Sequence, residues 1–416
     1  MGIKKQIGYS YGDLTIVPKC ISEISSRSEC NPRYSDGKFP IFTAPMSSVI
    51  GVENFSYWDS CGIIPILPRT SLPDWKDKLD FIYTGSWVAL GLSEVEKLSE
   101  EPLDISLFKS SKIRILIDVA NGHMKKILDL SKKLKNIYKD SIEIMAGNIA
   151  NPDTYCNYCC AGIDYVRCSI GSGAGCLTTS NTGVHFPIAS LIEEIREKKS
   201  VLGSKATTKI IADGGIRNYS DINKALALGA DYVMIGGLFS SLLESSADFS
   251  GSGVSCYEGI EYSDGKLTYL EPDIYGENLE NYIKEVWSDL KIDYKSFENK
   301  YGDPVISYTI DILESPEEIK LGFLRYMESR RNILHKEFYG MSTKKAQKLM
   351  RKLDLKTSEG KEVSIPVRYT IKQWVDNMES YLKSAMSYCN SKTLKEFIGN
   401  QILIPNSPGE ISAVNK

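Results

Sequence analysis

The chain has 416 residues, a net charge of -3, 42% hydrophobic and 25% charged residues, a balance that allows a full buried core. It excludes the basic field that nucleic acid would need, so phosphate recognition has to be local, through backbone amides and a few side chains. No run of about 18 apolar residues exists to cross a bilayer and the amino end lacks a signal peptide's apolar core, so the expected setting is cytoplasmic, with no membrane partner.

Short β-type runs recur in chain order: 39–45, 62–68, 86–92, 114–120, 142–148, 165–171, 208–215 and 232–238. They are apolar on both faces, as buried parallel strands are, instead of alternating. Helical segments lie between them, such as 123–137, 185–199 and 219–230, with Ser220 or Asp221 placed to cap the last. Strict alternation over about 200 residues predicts a (β/α)₈ TIM barrel across residues 1–246. A doubly wound open sheet would want a GxGxxG turn after its first strand, and none follows.

The chain holds ten cysteines, which in the cytoplasm should stay reduced. Cys156, Cys159 and Cys160 form a CxxCC cluster, but no second pair at metal-ligand spacing follows it. Helical spacing places these thiols near Ile149 and Ala161, and core packing is the expectation.

Polar and glycine residues gather at the carboxyl ends of the strands, where barrel enzymes carry their sites. Asp118 and Asn121 follow the fourth strand, Gly147 and Asn148 the fifth, Asp213, Gly214 and Gly215 the seventh, and Gly236 and Gly237 the eighth. The sixth strand opens into IGSGAGCLTT (170–179), which offers the thiol of Cys176 beside Thr178. In isolation such a loop would be a turn with a buried cysteine. Glycines at neighbouring strand ends make it an active-site loop, with phosphate expected after strands seven and eight.

Residues 247–337 break the pattern and read as an insertion after the eighth strand or a small subdomain. Residues 250–270 look like a polar hairpin, 277–303 and 315–334 like helices, and the aromatic content, including Trp287, suffices for a small core of its own. Residues 338–405 then supply a basic, mobile flap around Gly340 and Gly360 and an amphipathic helix over 371–388. Glu359 sits in that flap, where closure would bring a carboxylate over the barrel mouth. The tail, 406–416, is expected to be disordered.

These stretches carry a resemblance to the IMP dehydrogenase/GMP reductase family. The matching motifs are DLTIVP (13–18), SSRSE (25–29), TAPM (43–46), DVANG (118–122), AGNIA (146–150), IGSGAGCLTT with NTGV (181–184), ADGGIR (212–217) and YGMS (339–342), in the family's order. DVANG, the glycine pair after the eighth strand, FYGMS, the short segment from Met341 to Glu359 and SEGKEVSIPVR are similar to the GMP reductase branch. IMP dehydrogenases usually carry an Arg-Tyr pair in a longer flap and CBS modules between the second and third strands; no such pair occurs between Met341 and Glu359, and only residues 69–85 are available between those strands.

The resemblance implies NADPH-dependent reductive deamination of GMP to IMP and ammonia. Cys176 would be the nucleophile and Thr178 with Glu359 the proton relay. Met46, Asp213, Gly215, Gly236, Gly237, Met341 and Ser342 would contact the purine nucleotide monophosphate. Asp118, Asn121, Asn148 and Arg167 would lie along the cofactor, and the carbonyls of Gly171, Gly173 and Cys176 are a candidate seat for a monovalent cation, K+. A homotetramer is implied too. Four residues depart from the family pattern: Ser47 replaces an Asp, Arg69 stands where GMP reductases have a Lys, Ala174 replaces a phosphate-contacting Ser, and His185 replaces a Gly. IMP dehydrogenase activity, a modified purine nucleotide as substrate, and a non-catalytic nucleotide-binding barrel are the alternative readings.

Overall fold

A computed structural model describes residues 7–107, 112–250, 259–263, 266–272, 293–298, 304–329, 334–340, 343–349 and 360–407. Strand β1 (Leu14–Val17) precedes eight parallel strands: β2 (Ile41–Thr43), β3 (Ile66–Leu67), β4 (Trp87–Leu90), β5 (Ile113–Asp118), β6 (Ile142–Ile149), β7 (Tyr165–Cys168), β8 (Lys209–Asp213) and β9 (Tyr232–Ile235). They pair in the order β2-β9-β8-β7-β6-β5-β4-β3. The seam between β2 and β3 closes through Thr43 N–H to Ile64 O at 3.0 Å and Ile64 N–H to Ile41 O at 2.9 Å. Every expected strand is present, and the architecture is the (β/α)₈ barrel.

Both faces of the strands are buried, which is why their runs are continuously apolar. Phe42, Trp87, Leu116, Met145, Tyr165, Ile211 and Tyr232 fill the barrel interior, with edge-to-face rings such as Trp87 and Tyr165 at 5.2 Å between centroids. The outward residues, Ile115, Ile144, Val166, Ile210 and Val233 among them, meet the helices. In helix Lys125–Tyr138 the core face is Ile127, Leu130, Leu134 and Tyr138, a 3- and 4-residue spacing. No helix among the described residues is long and apolar enough to cross a membrane.

Several expectations need correction. Helix Tyr219–Leu228 is capped by Asn218, whose side chain accepts from Asp221 N–H, while the Asp221 carboxylate accepts from Arg217 N–H. Neither Ser220 nor Asp221 is the cap, because the helix starts at Tyr219 and already contains both. In helix Asp153–Cys160 the buried face belongs to Tyr155 and Tyr158, three residues apart; Cys159 packs against the core as expected though only half-buried, while Cys156 is half-buried and Cys160 exposed. Two large rings bury more apolar area than the thiols, so they set the helix's orientation.

The sequence reading missed β1 as well. It pairs antiparallel with β17 (Ile402–Pro405) and ties the two ends of the chain together. Asn406 continues that contact, its N–H donating to Asp13 O at 2.8 Å and its Oδ1 accepting from Thr15 Oγ1 at 2.5 Å. It therefore belongs to the fold and not to the tail; residues 408–416 lie outside the described residues.

After β9 the chain forms β10 (Phe249–Ser250), β11 (Gly259–Ser263), β12 (Lys266–Pro272), β13 (Asp293–Glu298) and β14 (Pro304–Asp311). The β11-β12 hairpin agrees with expectation. Residues 293–298, expected to be helical, instead pair with β14 from Asp293↔Thr309 to Glu298↔Pro304, a long-range ladder that overrides local propensity. Helix Glu317–Ser329 is present as read, and with the sheet it buries Leu267, Ile310, Ile312, Ile319, Phe323 and Met327 together with Leu243 and Val367 from outside the block. The core described there is therefore mainly aliphatic and shared with the barrel's flank; Trp287 lies outside the described residues. Lys320 on that helix reaches Glu244, just beyond β9, at 3.2 Å with both side chains almost fully buried.

Strand β15 (His335–Tyr339) pairs with β10 and with β16 (Glu362–Pro366), forming the stem of the flap. Lys336 on β15 is buried and donates to Ser245 O at 2.5 Å, under the Phe249 ring. Helix Ile371–Tyr388 has the expected bounds; Thr370 caps it, and Trp374, Val375, Met378 and Leu382 form its buried face.

Candidate active site

The carboxyl ends of the barrel strands open on one rim. At the end of β7 the chain passes Ser169 (φ 137°) and Gly171 (φ 77°). A side chain at Gly171 would be strained at that φ and would collide with the Thr179 hydroxyl, so glycine is required. The turn closes with Cys176 N–H donating to Gly173 O at 3.0 Å. Cys176 is half-buried and its thiol donates to Thr178 Oγ1 at 3.3 Å. Behind the loop, His185 Nδ1 lies 2.8 Å from Ile170 O. The other thiol on this element, Cys168, is fully buried, and burial pushes its pKa well up, with Asp213 and Asp231 adding to the shift; it is not a competing nucleophile.

The stem of the flap holds this loop from above. Gly175 O accepts from Lys361 N–H at 3.0 Å, Gly340 N–H donates to Lys361 O at 3.2 Å, and Cys176 pairs with Gly360. Phe338 lies edge-on to Gly175, where a Cβ would stand 2.8 Å from Phe338 Cε1 and 2.7 Å separate a Cβ at Gly340 from Gly175 O. Gly340 and Gly360, expected to be centres of flap movement, are thus packed at its anchored base. Ser47 Oγ and Tyr339 OH lie 3.0 Å apart, joining β15 to the loop after β2.

One wall of the mouth carries almost no side chains. Gly215 N–H donates to Ser172 O at 3.0 Å, a Cβ at Gly236 would stand 3.1 Å from Met46 Sδ, and one at Gly237 would stand 3.5 Å from Ala174 Cβ. Met46, Ala174, Gly215, Gly236 and Gly237 therefore bound one space between the loops after β2, β7, β8 and β9. Its bare backbone is a cradle of the kind that accepts a phosphate closely.

The opposite part of the rim is charged. Arg167, 8% exposed, bridges Asp118 Oδ1 at 2.9 Å and Asp213 Oδ2 at 2.8 Å. Burial lowers the guanidinium's pKa, but the Asp213 and Asp118 carboxylates outweigh it and hold the group above its ordinary value. Asn148 Nδ2 also donates to Asp213 Oδ2, at 2.6 Å. Arg69 donates to Asp118 O at 3.3 Å and lies across Gly91.

The structure brings most of the residues singled out in the sequence into this rim. Cys176, Thr178, Gly171 and Gly173 share one loop; Met46, Gly215, Gly236 and Gly237 share the bare wall; Asp118, Asn148, Arg167 and Asp213 are one bonded cluster. Asp213, expected on the nucleotide's side, is engaged by Arg167 and Asn148. Asn121 turns back on its own loop, its Oδ1 accepting from His123 N–H at 3.0 Å. Glu359, Met341 and Ser342 lie outside the described residues. Phe338, Tyr339 and Lys361 were missed, since contact with Gly175 depends on a β-stem that no local pattern announces.

A family model described as "IMP dehydrogenase / GMP reductase domain" matches residues 95–280. A GMP reductase of Staphylococcus aureus (strain JH9) is 28% identical over 314 residues, covering 68% of this chain and 89% of the relative. An inosine-5'-monophosphate dehydrogenase of Chlorobaculum parvum (strain DSM 263 / NCIMB 8327) is 34% identical over 202 residues, 47% of this chain and 38% of the relative.

Proposed function

Because the chain belongs to the IMP dehydrogenase/GMP reductase family of oxidoreductases, we propose that it is a GMP reductase, converting GMP to IMP and ammonia at the expense of NADPH. The observation that carries this reading is the half-buried Cys176 thiol, 3.3 Å from Thr178 Oγ1, beside a wall bare enough for a nucleotide phosphate. Two facts favour this branch over dehydrogenation of IMP. The S. aureus alignment spans 89% of that GMP reductase, and a single helix, Trp75–Tyr83, joins β3 to β4, leaving no space for regulatory modules.

In this reading the phosphate rests on the amides of Gly236 and Gly237, against Gly215, whose own N–H is given to Ser172 O, and Met46, Met341 and Ser342 would contact the base. The Cys176 sulfur adds to C2 of the protonated guanine, where an amidine-like carbon accepts a thiolate but not a neutral hydroxyl. The amino group takes a proton through Thr178 and Glu359 and leaves as ammonia, so that C2 remains bonded to sulfur. NADPH, when bound beside the charged wall, would supply the hydride that C2 takes up. The C2–S bond then breaks, its electron pair returns to Cys176, and IMP is released. Asp118, Asn121, Asn148 and Arg167 border the space for the nicotinamide. The Arg167 fork, locked by two carboxylates, suits a fixed pocket wall; Arg69 reaches the same rim. K+ would be held by the carbonyls of Gly171, Gly173 and Cys176; Gly173 O accepts one bond, from Cys176 N–H, and keeps a second lone pair. A homotetramer in the cytoplasm completes the reading.

The test is to add the purified protein to GMP with NADPH, and separately to IMP with NAD, while following nicotinamide absorbance. Oxidation of NADPH with GMP alone supports the proposal. Reduction of NAD with IMP overturns it in favour of the dehydrogenase, and silence in both with GMP still bound favours a non-catalytic barrel or a modified purine nucleotide. Glu359→Gln should abolish deamination with little effect on GMP affinity.

A further inference from the structure

His123 lies between two rim loops and is used by both. Its Nε2 accepts the Ala150 N–H at 3.0 Å and its Nδ1 lies 2.9 Å from Thr154 Oγ1. A backbone N–H can only donate, so Nε2 carries no proton and the neutral ring has its proton on Nδ1, donated to Thr154. The neighbouring backbone repeats the join: Gly122 N–H donates to Asn148 O at 2.9 Å, and a Cβ at Gly122 would stand 2.7 Å from that oxygen. Two residues before Ala150, Asn148 donates to Asp213 Oδ2 at 2.6 Å, the carboxylate that also holds Arg167. A continuous set of contacts therefore runs from the imidazole to the charged wall.

We propose that His123 is a positioning residue: as the neutral Nδ1–H tautomer it pins the loop after β6 to the loop after β5, and so fixes Asn148 on Asp213 in the reductant's pocket. The inference rests on the reading of this rim as the nicotinamide side of an active site. Protonation of Nε2 would turn its acceptor into a donor facing the Ala150 N–H, and the clamp would open.

The charges at the starts of the two flanking helices are paired. Lys125 and Lys126, on the helix that His123 precedes, hold Asp129 at 2.5 Å and Glu96 at 2.6 Å; Asp153, opening the helix that carries Thr154, is held by Lys198 at 2.5 Å. Partial desolvation lowers the pKa of the His123 ring, which stays largely exposed, below its ordinary 6.5. The sign follows: the clamp is complete above about pH 6.5 and is lost as pH falls through the lowered folded-state value.

The chain has three histidines, His123, His185 and His335, so imidazole nitrogen NMR of the full chain can resolve each, with His123→Gln assigning the signal. Gln places an acceptor oxygen near the Nε2 position but does not titrate; Ala removes the acceptor. In the wild type, Nε2 should be unprotonated at pH 7, and NADPH affinity should weaken about three- to tenfold below the His123 titration, the worth of one hydrogen bond. His123→Gln should keep the neutral-pH affinity, the slow exchange of the Ala150 amide, and no acid limb. His123→Ala should lose Ala150 protection and bind NADPH about three- to tenfold more weakly at every pH, with kcat less affected than KM. A proton on Nε2 at pH 7, an acid limb that survives in His123→Gln, or unchanged Ala150 exchange in His123→Ala would each overturn the proposal. Wild type that binds no NADPH would instead sink the functional reading, and the Ala150 exchange would still decide the clamp.

Discussion

Replacing Arg167 by Met keeps most of the side chain's bulk and removes one cation from between two carboxylates. The three side chains are 10%, 17% and 13% exposed, so little water is available to take over the lost charge. Breaking a buried pair from one side costs about 3–5 kcal/mol. Asn148 still donates to Asp213, which places the expected loss near the lower end, about 3 kcal/mol. The cost should change little with salt, since buried charges are weakly screened. Guanidinium unfolding at low and high ionic strength measures it. Adding Asp118→Asn should recover part of the loss, giving a coupling above about 1 kcal/mol in a double-mutant cycle. A loss below about 1 kcal/mol, or additive single substitutions, would mean that solvent reaches the cluster and that Arg167 does not organise the rim.

Three further perturbations address other parts of the molecule. Cys176→Ala should lower turnover by orders of magnitude while GMP affinity stays within about tenfold, because phosphate and ribose contacts lie on other loops; calorimetry and NADPH oxidation separate the two, and retained turnover removes the thiol from the chemistry. Gly175→Ala sets a methyl against Phe338, at 2.8 Å before any relaxation, so the nucleophile loop or the flap stem must shift; kcat should fall by about ten- to a hundredfold with GMP binding nearly unchanged, and an unaltered kcat would uncouple the stem from the thiol. Lys336 is buried, and burial pushes its amine down to about 7 from 10.5. Its folded value lies below the unfolded one, so the unfolded chain binds more protons between those limits and stability should rise as pH increases from about 7 to 10.5. Lys336→Met should abolish that rise and stabilise the fold at pH 7 by about 2 kcal/mol or more; urea midpoints at pH 7 and pH 9.5 that move in parallel with wild type would refute this.

Features repeated along the chain could be recognised before any coordinates. The eight strands are legible because burial on both faces demands apolar runs such as Trp87–Leu90. Glycines and polar residues at strand ends are legible because a barrel has one open rim. Local pattern failed where pairing is remote: Asp293–Glu298 became a strand through β14, and β1 exists only because Ile402–Pro405 returns nearly four hundred residues later.

For the site, the amino-acid sequence by itself determined which groups exist: a thiol beside a hydroxyl on a glycine loop, bare glycine pairs at two neighbouring strand ends, and Asp118, Arg167 and Asp213 at three others. Tertiary structure alone decided who engages whom. Arg167 takes both carboxylates because β5, β7 and β8 bring them within 3 Å of one guanidinium. Gly175 meets Phe338 and Lys361 because a stem formed from the far side of an insertion folds back over β7. Such contacts depend on sequence separations that no periodicity encodes, and their geometry is set by the packing of the whole barrel.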